Sequence, residues 1–434
     1  MPFPARLRRS GTRRLGATAL TVGFALLLAA CGQNHPDSIF HQRTDFNRDV
    51  DFLFKILIYA GTAVFIFVEA ILVITLIRYR SRPGQPAPKH VHGNTTLEIT
   101  WTVVPFLILV LIAIPTVRTI FKTQAKARSD ALQVEVIGHQ WWWEFRYPQY
   151  GIVTANELYL PIGRTVNFTL RTQDVIHSFW VPALAGKRDL VSNHTNYLWY
   201  TPDSTTANAW NGACVEYCGT SHANMRFKTF TVTQADFESW AKHQQEPAAG
   251  TPLPGATQAN VTSPTVPLAG RPGAGVPKTD STPAPVAQVT QAGFIAFPRE
   301  KLPQYAIPET PLPANLAFDD NLLGKGDPAN GAKLIVGAGA CLGCHTIKGN
   351  PMMVGVVGPN LTHIASRTTI AAGLYPNDAR HLARWIKNAR VMKPGVLMLT
   401  LGAGEYDPIT KAKMSPGLTD QQIADIVAYL QTLK

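Results

Sequence analysis

One stretch of the chain, CVEYCGTSHANM at residues 214–225, determines how the rest of the sequence is interpreted. It places two thiols, an imidazole and a thioether close together, on Cys214, Cys218, His222 and Met225. Soft sulfur ligands combined with imidazole select copper over hard cations. A mononuclear blue-copper site needs only one cysteine, so the second cysteine predicts that both sulfurs bridge two copper ions.

Two copper ions require two further ligands, and the chain can supply both. The imidazole of His177, in the run DVIHSFWVP at residues 174–182, is the second nitrogen ligand, and the backbone carbonyl of Glu216 is a weak axial ligand. The alternative for Cys214 and Cys218 is a disulfide, which is common in exported domains. The neighbouring His and Met favour the metal.

Residues 131–243 are predicted to form the β domain that carries these ligands. Residues 132–136 and 165–170 alternate between apolar and polar side chains, and Gly, Pro, Asn and Asp separate such runs. Within this domain Trp141, Trp142 and Trp143 are adjacent. Neighbouring side chains on a strand point to opposite faces, so at least one of these indoles lies at a surface or an interface.

The copper pattern, C-x-E-x-C-G-x-x-H-x-x-M with His177 upstream, resembles the binuclear CuA site of cytochrome c oxidase subunit II. The resemblance implies a cupredoxin-like β-sandwich with the copper loops at one end. It implies that Trp141, in GHQW at residues 138–141, is the electron-entry aromatic, although plain packing is the alternative. It also implies that the Glu216 carboxylate can reach a Mg²⁺ ion at the boundary with subunit I.

A second cofactor motif lies near the C-terminus. The run CLGCH at residues 341–345 matches C-x-x-C-H, which binds haem c through Cys341 and Cys344, with His345 as the proximal iron ligand. Residues 322–434 resemble an all-α class I cytochrome c domain, with a first helix from Asp327 to about Cys341. For the distal ligand, Met398 matches fused oxidase cytochromes.

Two other features belong to this haem domain. Met414, followed by Ser-Pro, is the rival distal ligand. Thr419 and Gln422 form a capping box that predicts the start of the last helix.

The N-terminal part of the chain is predicted to enter a membrane. Residues 1–30 form an export signal, and the LAAC ending resembles a bacterial lipobox with Cys31 as the lipidated residue. Residues 31–130 then hold a transmembrane hairpin with spans at about 56–77 and 97–117, each long enough to cross about 30 Å of hydrocarbon. Glu69 inside the first span implies a membrane partner. Glu98 starts the second span, and by resemblance lies near the entrance of a proton pathway; a helix-start glutamate is the alternative.

Charge and composition limit the remaining possibilities. The net charge is +12, but five arginines fall in the signal and further basic residues fall in the loop between the spans. This places the loop on the cytoplasmic side and both termini outside. The exported part has no basic stripe, which excludes nucleic-acid binding. Residues 244–321 are rich in Pro, Ala and Gly and are predicted to be a linker.

Together these features resemble subunit II of a proton-pumping, cytochrome-c-fused caa-type oxidase in the bacterial inner membrane. The resemblance implies that haem c accepts electrons from an upstream cytochrome c or a quinol–cytochrome c reductase-type donor. Electrons then pass to CuA and on to subunit I, where O₂ is reduced to water; subunit III is a further partner. The alternatives are a Sco-type copper chaperone, a quinol oxidase subunit II, a nitrous oxide reductase and a lipid-anchored electron carrier acting alone.

Overall fold

The computed structural model describes residues 22–23, 38–40, 42–80, 82–84, 92–124, 129–203, 208–248 and 297–434. Nearly all of the predicted signal segment, the lipidation candidate Cys31 and most of the predicted linker lie outside the described residues.

Two long apolar helices come first, α1 (Asp45–Arg78) and α2 (Thr95–Gln124). Each has a mean hydropathy of 2.4 and is long and apolar enough to cross a membrane. Both extend beyond the predicted spans because polar residues at their ends still fit helical geometry; the Thr44 side chain, for example, accepts from the Asn47 amide and caps α1. At 34 residues, α1 is about 51 Å long, so it extends past the hydrocarbon.

The start of α1 is fixed to the outer domain. The ring of Phe46 is 5% exposed and belongs to the core of that domain. Asn47 donates from Nδ2 to the Pro182 carbonyl at 3.0 Å. The Asp45 carboxylate accepts from the Thr201 amide at 2.8 Å. The helix and the domain above it are therefore joined by buried contacts as well as by the chain.

The outer domain is a sandwich of two five-stranded sheets. In chain order its strands are β1 (Leu132–His139), β2 (Trp142–Tyr147), β3 (Ile152–Ala155), β4 (Glu157–Pro161), β5 (Val166–Thr172), β6 (His177–Trp180), β7 (Arg188–Leu190), β8 (Asn196–Tyr200), β9 (Asn208–Cys214) and β10 (Arg226–Val232). One sheet has the order β3-β2-β1-β5-β8 and the other β4-β10-β9-β6-β7. The β1–β5 and β4–β10 pairs are parallel and the other pairs antiparallel. The predicted cupredoxin-like β-sandwich is confirmed.

Aromatic rings fill the space between the sheets. Trp143 is fully buried and lies 5.7 Å from Phe179 of the opposite sheet, and Phe179 stacks on Phe227 at 4.9 Å. A helix, α3 (Gln234–Gln245), closes one end by stacking Trp240 on Tyr159 at 4.6 Å. This core holds the strand ends that carry the candidate metal ligands.

The C-terminal domain is mainly helical, as predicted. Its elements are α4 (Pro328–Val336), the two-residue strands β11 (Thr369–Ile370) and β12 (Tyr375–Pro376), α5 (Ala379–Lys387), α6 (Ala389–Met392), the strands β13 (Tyr406–Asp407) and β14 (Ala412–Lys413), and α7 (Asp420–Leu430). Helices α4 and α7 touch at Gly331, where a Cβ atom would lie 2.0 Å from the Asp425 carbonyl oxygen. Only glycine permits so close an approach.

The predicted starts of both helices are correct, but the end of the first is not. Asp327 caps α4, and Thr419 with Gln422 forms the capping box of α7. Helix α4 ends at Val336 rather than near Cys341, because Gly337 follows directly and the chain turns there. The stretch from Cys341 to Gly343 forms a separate 3-10 helix.

Residues 297–321, assigned to the linker from composition, pack on both domains. Phe297 lies 4.9 Å from Phe230 in the sandwich core, and Tyr305 donates from its hydroxyl to the Ala209 carbonyl at 3.0 Å. Leu316 and Phe318 belong to the core of the C-terminal domain. The apolar side chains among the prolines of this segment give it surface to bury.

Candidate metal centre and haem pocket

The copper-binding loop is held between two paired strands. Strand β9 ends at Cys214 and its antiparallel neighbour β10 starts at Arg226. The Cys214 amide donates to the Met225 carbonyl at 2.9 Å, which closes the base of the intervening loop. On the other side, β6 begins with His177 and pairs with β9 at Cys214. The sheet thus presents His177 and the loop at one end.

All six predicted copper ligands are brought together. The Cys214 and Cys218 sulfurs are 3.7 Å apart. The other separations are Cys214 Sγ to His177 Nδ1 3.8 Å, Cys214 Sγ to the Glu216 carbonyl oxygen 3.2 Å, Cys218 Sγ to His222 Nδ1 3.6 Å and Cys218 Sγ to Met225 Sδ 3.9 Å. Both cysteines are buried and neither is in a disulfide.

This donor set fits a pair of copper ions. Two ligands of one metal ion with bonds of about 2.0–2.3 Å lie about 3.5 Å apart, which is the spacing found here. Each sulfur has its own imidazole neighbour, and the two sulfurs face each other, so both can contact both ions. The soft S and N donors match copper.

The thiols are coupled by a hydrogen bond. The hydrogen bond between the thiols lowers the pKa of Cys214 and, together with burial, raises the pKa of Cys218. Copper bound here would favour the deprotonated form of both cysteines, because thiolates are the ligands of the metal.

Asp174 is a functional residue that was not assigned from the sequence. Its Oδ1 lies 2.8 Å from His177 Nε2, while Oδ2 accepts from the Gln140 amide at 2.7 Å. Burial alone would lower the pKa of His177, but the Asp174 and Cys214 contacts raise it overall. The carboxylate fixes the imidazole with Nδ1 directed at Cys214. The sequence signal that could have identified Asp174 is the run DVIH, in which an acid precedes the histidine by three residues.

The C-terminal domain contains an apolar cavity lined by the haem-binding motif. Cys341, Cys344 and His345 line it, together with Met353 and Met398. His345 Nδ1 lies 2.7 Å from the Pro359 carbonyl, and burial lowers the pKa of His345. The imidazole is thus held neutral, with Nδ1 donating and Nε2 left as a ligand. The residues fit a covalently bound haem.

The two methionine candidates differ in position. Met398 lines the cavity, whereas Met414 is not among the described residues that line it. The Met414 amide instead donates to the Glu405 carbonyl at 2.8 Å, beside the small β13–β14 sheet. Met353 also reaches the cavity, but it is fully buried in the core of the domain. The geometry favours Met398.

Trp141 lies between the two candidate sites. Its indole Nε1 donates to the Cys218 carbonyl at 3.0 Å, beside a bond of 2.8 Å from Gln140 Nε2 to the same oxygen. The ring also lines the haem cavity and is 9% exposed. Trp142 stacks on His139 and Trp143 fills the sandwich core. The strand residues Trp142 and Trp143 point to opposite faces, as the alternation rule requires, and Trp142 lines the cavity together with Trp141, which precedes β2.

The two domains meet over a wide boundary. Glu157 Oε1 accepts from the Thr368 amide at 2.6 Å, the Thr368 hydroxyl at 2.6 Å and the Thr369 amide at 3.2 Å. The Arg226 amide donates to the Ala372 carbonyl at 3.1 Å. These bonds join the sandwich to the haem domain through buried groups.

The carboxylates of Glu216 and Glu98 are both exposed. The Glu216 carboxylate accepts from the Tyr217 amide at 3.2 Å, while its carbonyl faces Cys214. Glu98 lies in the first turn of α2, with its amide donating to the Asn94 carbonyl at 2.9 Å. This position suits a helix-start glutamate and also leaves its carboxylate accessible.

Comparison with known proteins gives matches to both halves of the chain. The family models that match are the transmembrane domain of cytochrome c oxidase subunit II at residues 41–119, its periplasmic domain at residues 151–232, and cytochrome c at residues 328–434. Two similar relatives are both described as cytochrome c oxidase subunit 2. The protein from Alkalihalophilus pseudofirmus is 29% identical over 88% of this chain and 86% of its own length. That from Bacillus sp. PS3 is 30% identical over 82% and 80%.

A solved structure is also similar in part. The periplasmic domain of subunit II of cytochrome oxidase from Bradyrhizobium japonicum is 26% identical, covering 28% of this chain and 97% of its own, with a TM-score of 0.26.

Proposed function

Because this chain belongs to the cytochrome c oxidase subunit II family, we propose that it is the electron-entry subunit of a proton-pumping caa-type haem–copper oxidase. Electrons enter through the haem c of the C-terminal domain and pass to CuA in the sandwich. They continue to subunit I, where O₂ is reduced to water. The upstream donor is a cytochrome c or a quinol–cytochrome c reductase-type complex.

When bound, haem c and CuA supply two one-electron redox sites, one in each outer domain. The chain itself holds their ligands and sets their surroundings. Pro359 fixes the imidazole of His345, and Asp174 fixes that of His177. Burial of Cys214 and Cys218 excludes water from the metal pair. Rigid strands on both sides of the copper loop keep ligand movement small on reduction.

The contact of Trp141 with both sites carries this proposal. A single indole donates to the carbonyl of Cys218 and lines the cavity that contains His345 and Met398. This supports Trp141 as the electron-entry aromatic residue rather than as a packing residue alone. A quinol oxidase subunit II would have neither Cys214 and Cys218 nor a haem motif, so these residues favour the cytochrome c oxidase.

The membrane arrangement follows from the same function. Both helices span the membrane, and Arg78, Arg80 and Arg82 place their connection on the cytoplasmic side. Both outer domains then face the periplasm. Residues 1–30 act as the export signal and Cys31 as the lipid anchor. Exposed Glu69 on α1 contacts subunit I, subunit III packs within the same membrane complex, and Glu98 lies at the entrance of a proton pathway.

Glu216 has two tasks in this proposal. Its backbone carbonyl would be a weak ligand of copper, and its exposed carboxylate would hold a Mg²⁺ ion at the boundary with subunit I. Hard carboxylate oxygen suits Mg²⁺, whereas the sulfurs beside it suit copper.

Two matched substitutions test the proposal in the purified oxidase. Cys218→Ser is expected to abolish the near-infrared CuA absorption and leave the haem c spectrum intact. Cys344→Ser is expected to leave the near-infrared band intact and to shift the haem c spectrum, because the haem then keeps only its thioether bond to Cys341. A normal near-infrared band in Cys218→Ser, or fewer than two copper ions per chain in the wild type by elemental analysis, would contradict the assignment.

A further inference from the structure

The segment from Lys393 to Gly395 of the haem domain surrounds Trp141 of the sandwich. Lys393 is 1% exposed, and its Nζ donates to the Trp141 carbonyl at 2.6 Å and to the Ala371 carbonyl at 3.1 Å. The Pro394 carbonyl accepts from the Ser221 hydroxyl at 2.5 Å. Three successive residues thus contact the copper end of the sandwich.

Gly395 lies against the ring of Trp141. A Cβ atom at this position would be 2.8 Å from Cη2 and Cζ3 of the indole, so any side chain would displace the ring. The adjoining edge of the same ring faces the copper loop, where a Cβ atom on Gly219 would lie 3.1 Å from Cζ2. One glycine from each domain therefore packs against the six-membered ring of the indole.

The same segment leads directly to the haem cavity. Lys393, Val396 and Met398 all line that cavity. Met398 follows Gly395 by three residues, so the chain that contacts Trp141 also carries the candidate distal ligand.

We infer that Lys393 and Gly395 are positioning residues, which dock the haem domain and hold the Trp141 ring between the haem pocket and the copper loop. This inference rests on the proposed function, since the position matters only if electrons pass here. One electron leaves the reduced haem and enters the oxidised copper pair, and no bond or proton changes place. Both residues act through the position of Trp141.

Docking can be measured without relying on electron transfer. The amides of Thr368 and Thr369 donate to Glu157 in the other domain, so their hydrogen exchange reports separation of the two domains. In the intact oxidase, Lys393→Met is expected to speed exchange of both amides at least about tenfold, because two buried carbonyls lose their hydrogen-bond donor. Lys413→Met, at an exposed lysine of the same domain, is the matched control.

Gly395→Ala tests the position of the ring itself. Gly395 has φ +87 and Gly404, in the same domain, has φ +75, so alanine is strained equally at either position. Only Gly395 would bring the new methyl group against Trp141, since a Cβ at Gly404 meets nothing within 4 Å in the described residues. Haem-to-copper transfer after pulsed reduction is expected to be severalfold slower in Gly395→Ala than in Gly404→Ala.

The outcomes separate this inference from the proposed function. If Lys393→Met exchanges like Lys413→Met, or if Gly395→Ala transfers electrons like Gly404→Ala with both cofactor spectra intact, the positioning role is wrong and the function stands. If the wild-type oxidase shows no haem-to-copper transfer, the proposed function itself fails.

Discussion

Replacing Glu157 by alanine should release the haem domain from the sandwich. Glu157 is 2% exposed on β4, and its Oε1 is the acceptor for the amides of Thr368 and Thr369 and for the Thr368 hydroxyl. Burial raises the pKa of Glu157, and the Thr368 contacts act in the opposite direction. The cost of burying Glu157 is therefore offset by these donors and by the nearby charge of Arg367.

The expected effect follows from the donors left unpaired. The hydroxyl can rotate to another acceptor, but the two amides cannot, and each unsatisfied buried amide costs about 1–3 kcal/mol. Glu157→Ala should thus weaken docking by about 4 kcal/mol, or roughly a thousandfold. Glu157→Gln keeps an acceptor oxygen of similar shape and should cost only about 1 kcal/mol.

Hydrogen exchange of the Arg226 amide measures this loss in the intact oxidase. That amide donates to the Ala372 carbonyl across the boundary and does not touch Glu157. Glu238→Ala is the control, because Glu238 accepts hydrogen bonds from Tyr150 and Gln234 of its own domain. Equal exchange in Glu157→Ala and Glu238→Ala would refute the anchoring role, and equal exchange in the Ala and Gln variants would refute the acceptor argument.

Three further predictions concern the haem domain. Met398→Ala should abolish the weak sulfur-to-iron band of oxidised haem c and Met414→Ala should retain it; the reverse result in optical spectra would identify Met414 as the ligand. Gly331→Ala should destabilise the domain by about 1–3 kcal/mol, because its Cβ would lie 2.0 Å from a carbonyl oxygen of α7. An unchanged denaturation midpoint would contradict this and show that the two helices can move apart without cost. His363 should make the native state less stable at acidic pH. Burial and the neighbouring His243 lower its pKa to about 4. Between pH 6.5 and 4 the unfolded chain therefore binds more protons than the native state, and the free energy of unfolding falls by up to about 3 kcal/mol. His363→Gln should flatten this pH dependence in denaturation curves, and an unchanged slope would contradict it.

The copper site could be predicted because most of its ligands are local in sequence. Cys214, Cys218, His222 and Met225 lie in one loop, and the spacing of soft donors restricts the metal. The haem motif is equally compact. The β-sandwich followed from alternating runs and turn residues, and the helix starts followed from Asp327-Pro328 and from the Thr419 capping box.

The boundary between the domains could not be predicted in this way. Glu157 and Thr368 are more than two hundred residues apart, and so are Trp141 and Lys393. In the sequence Lys393 is one basic residue before Pro-Gly, with no periodicity that indicates burial. The contacts made by the C-terminal part of the predicted linker could not be predicted for a related reason: its proline content indicates a linker, whereas Phe297 and Tyr305 pack on the sandwich.

The junction between α1 and the sandwich has a mechanical consequence. Asp45, Phe46 and Asn47 fix the top of the helix to the outer domain, so the helix acts as a rigid stalk and not as a hinged tether. The position of α1 in a bilayer would then determine how far the copper end of the sandwich lies from the lipid and which way it faces. One residue inserted after Asn47 would rotate the rest of α1 by about 100° relative to the sandwich and lengthen the helix by about 1.5 Å. The orientation of α1 thus sets the direction in which the copper end of the sandwich faces.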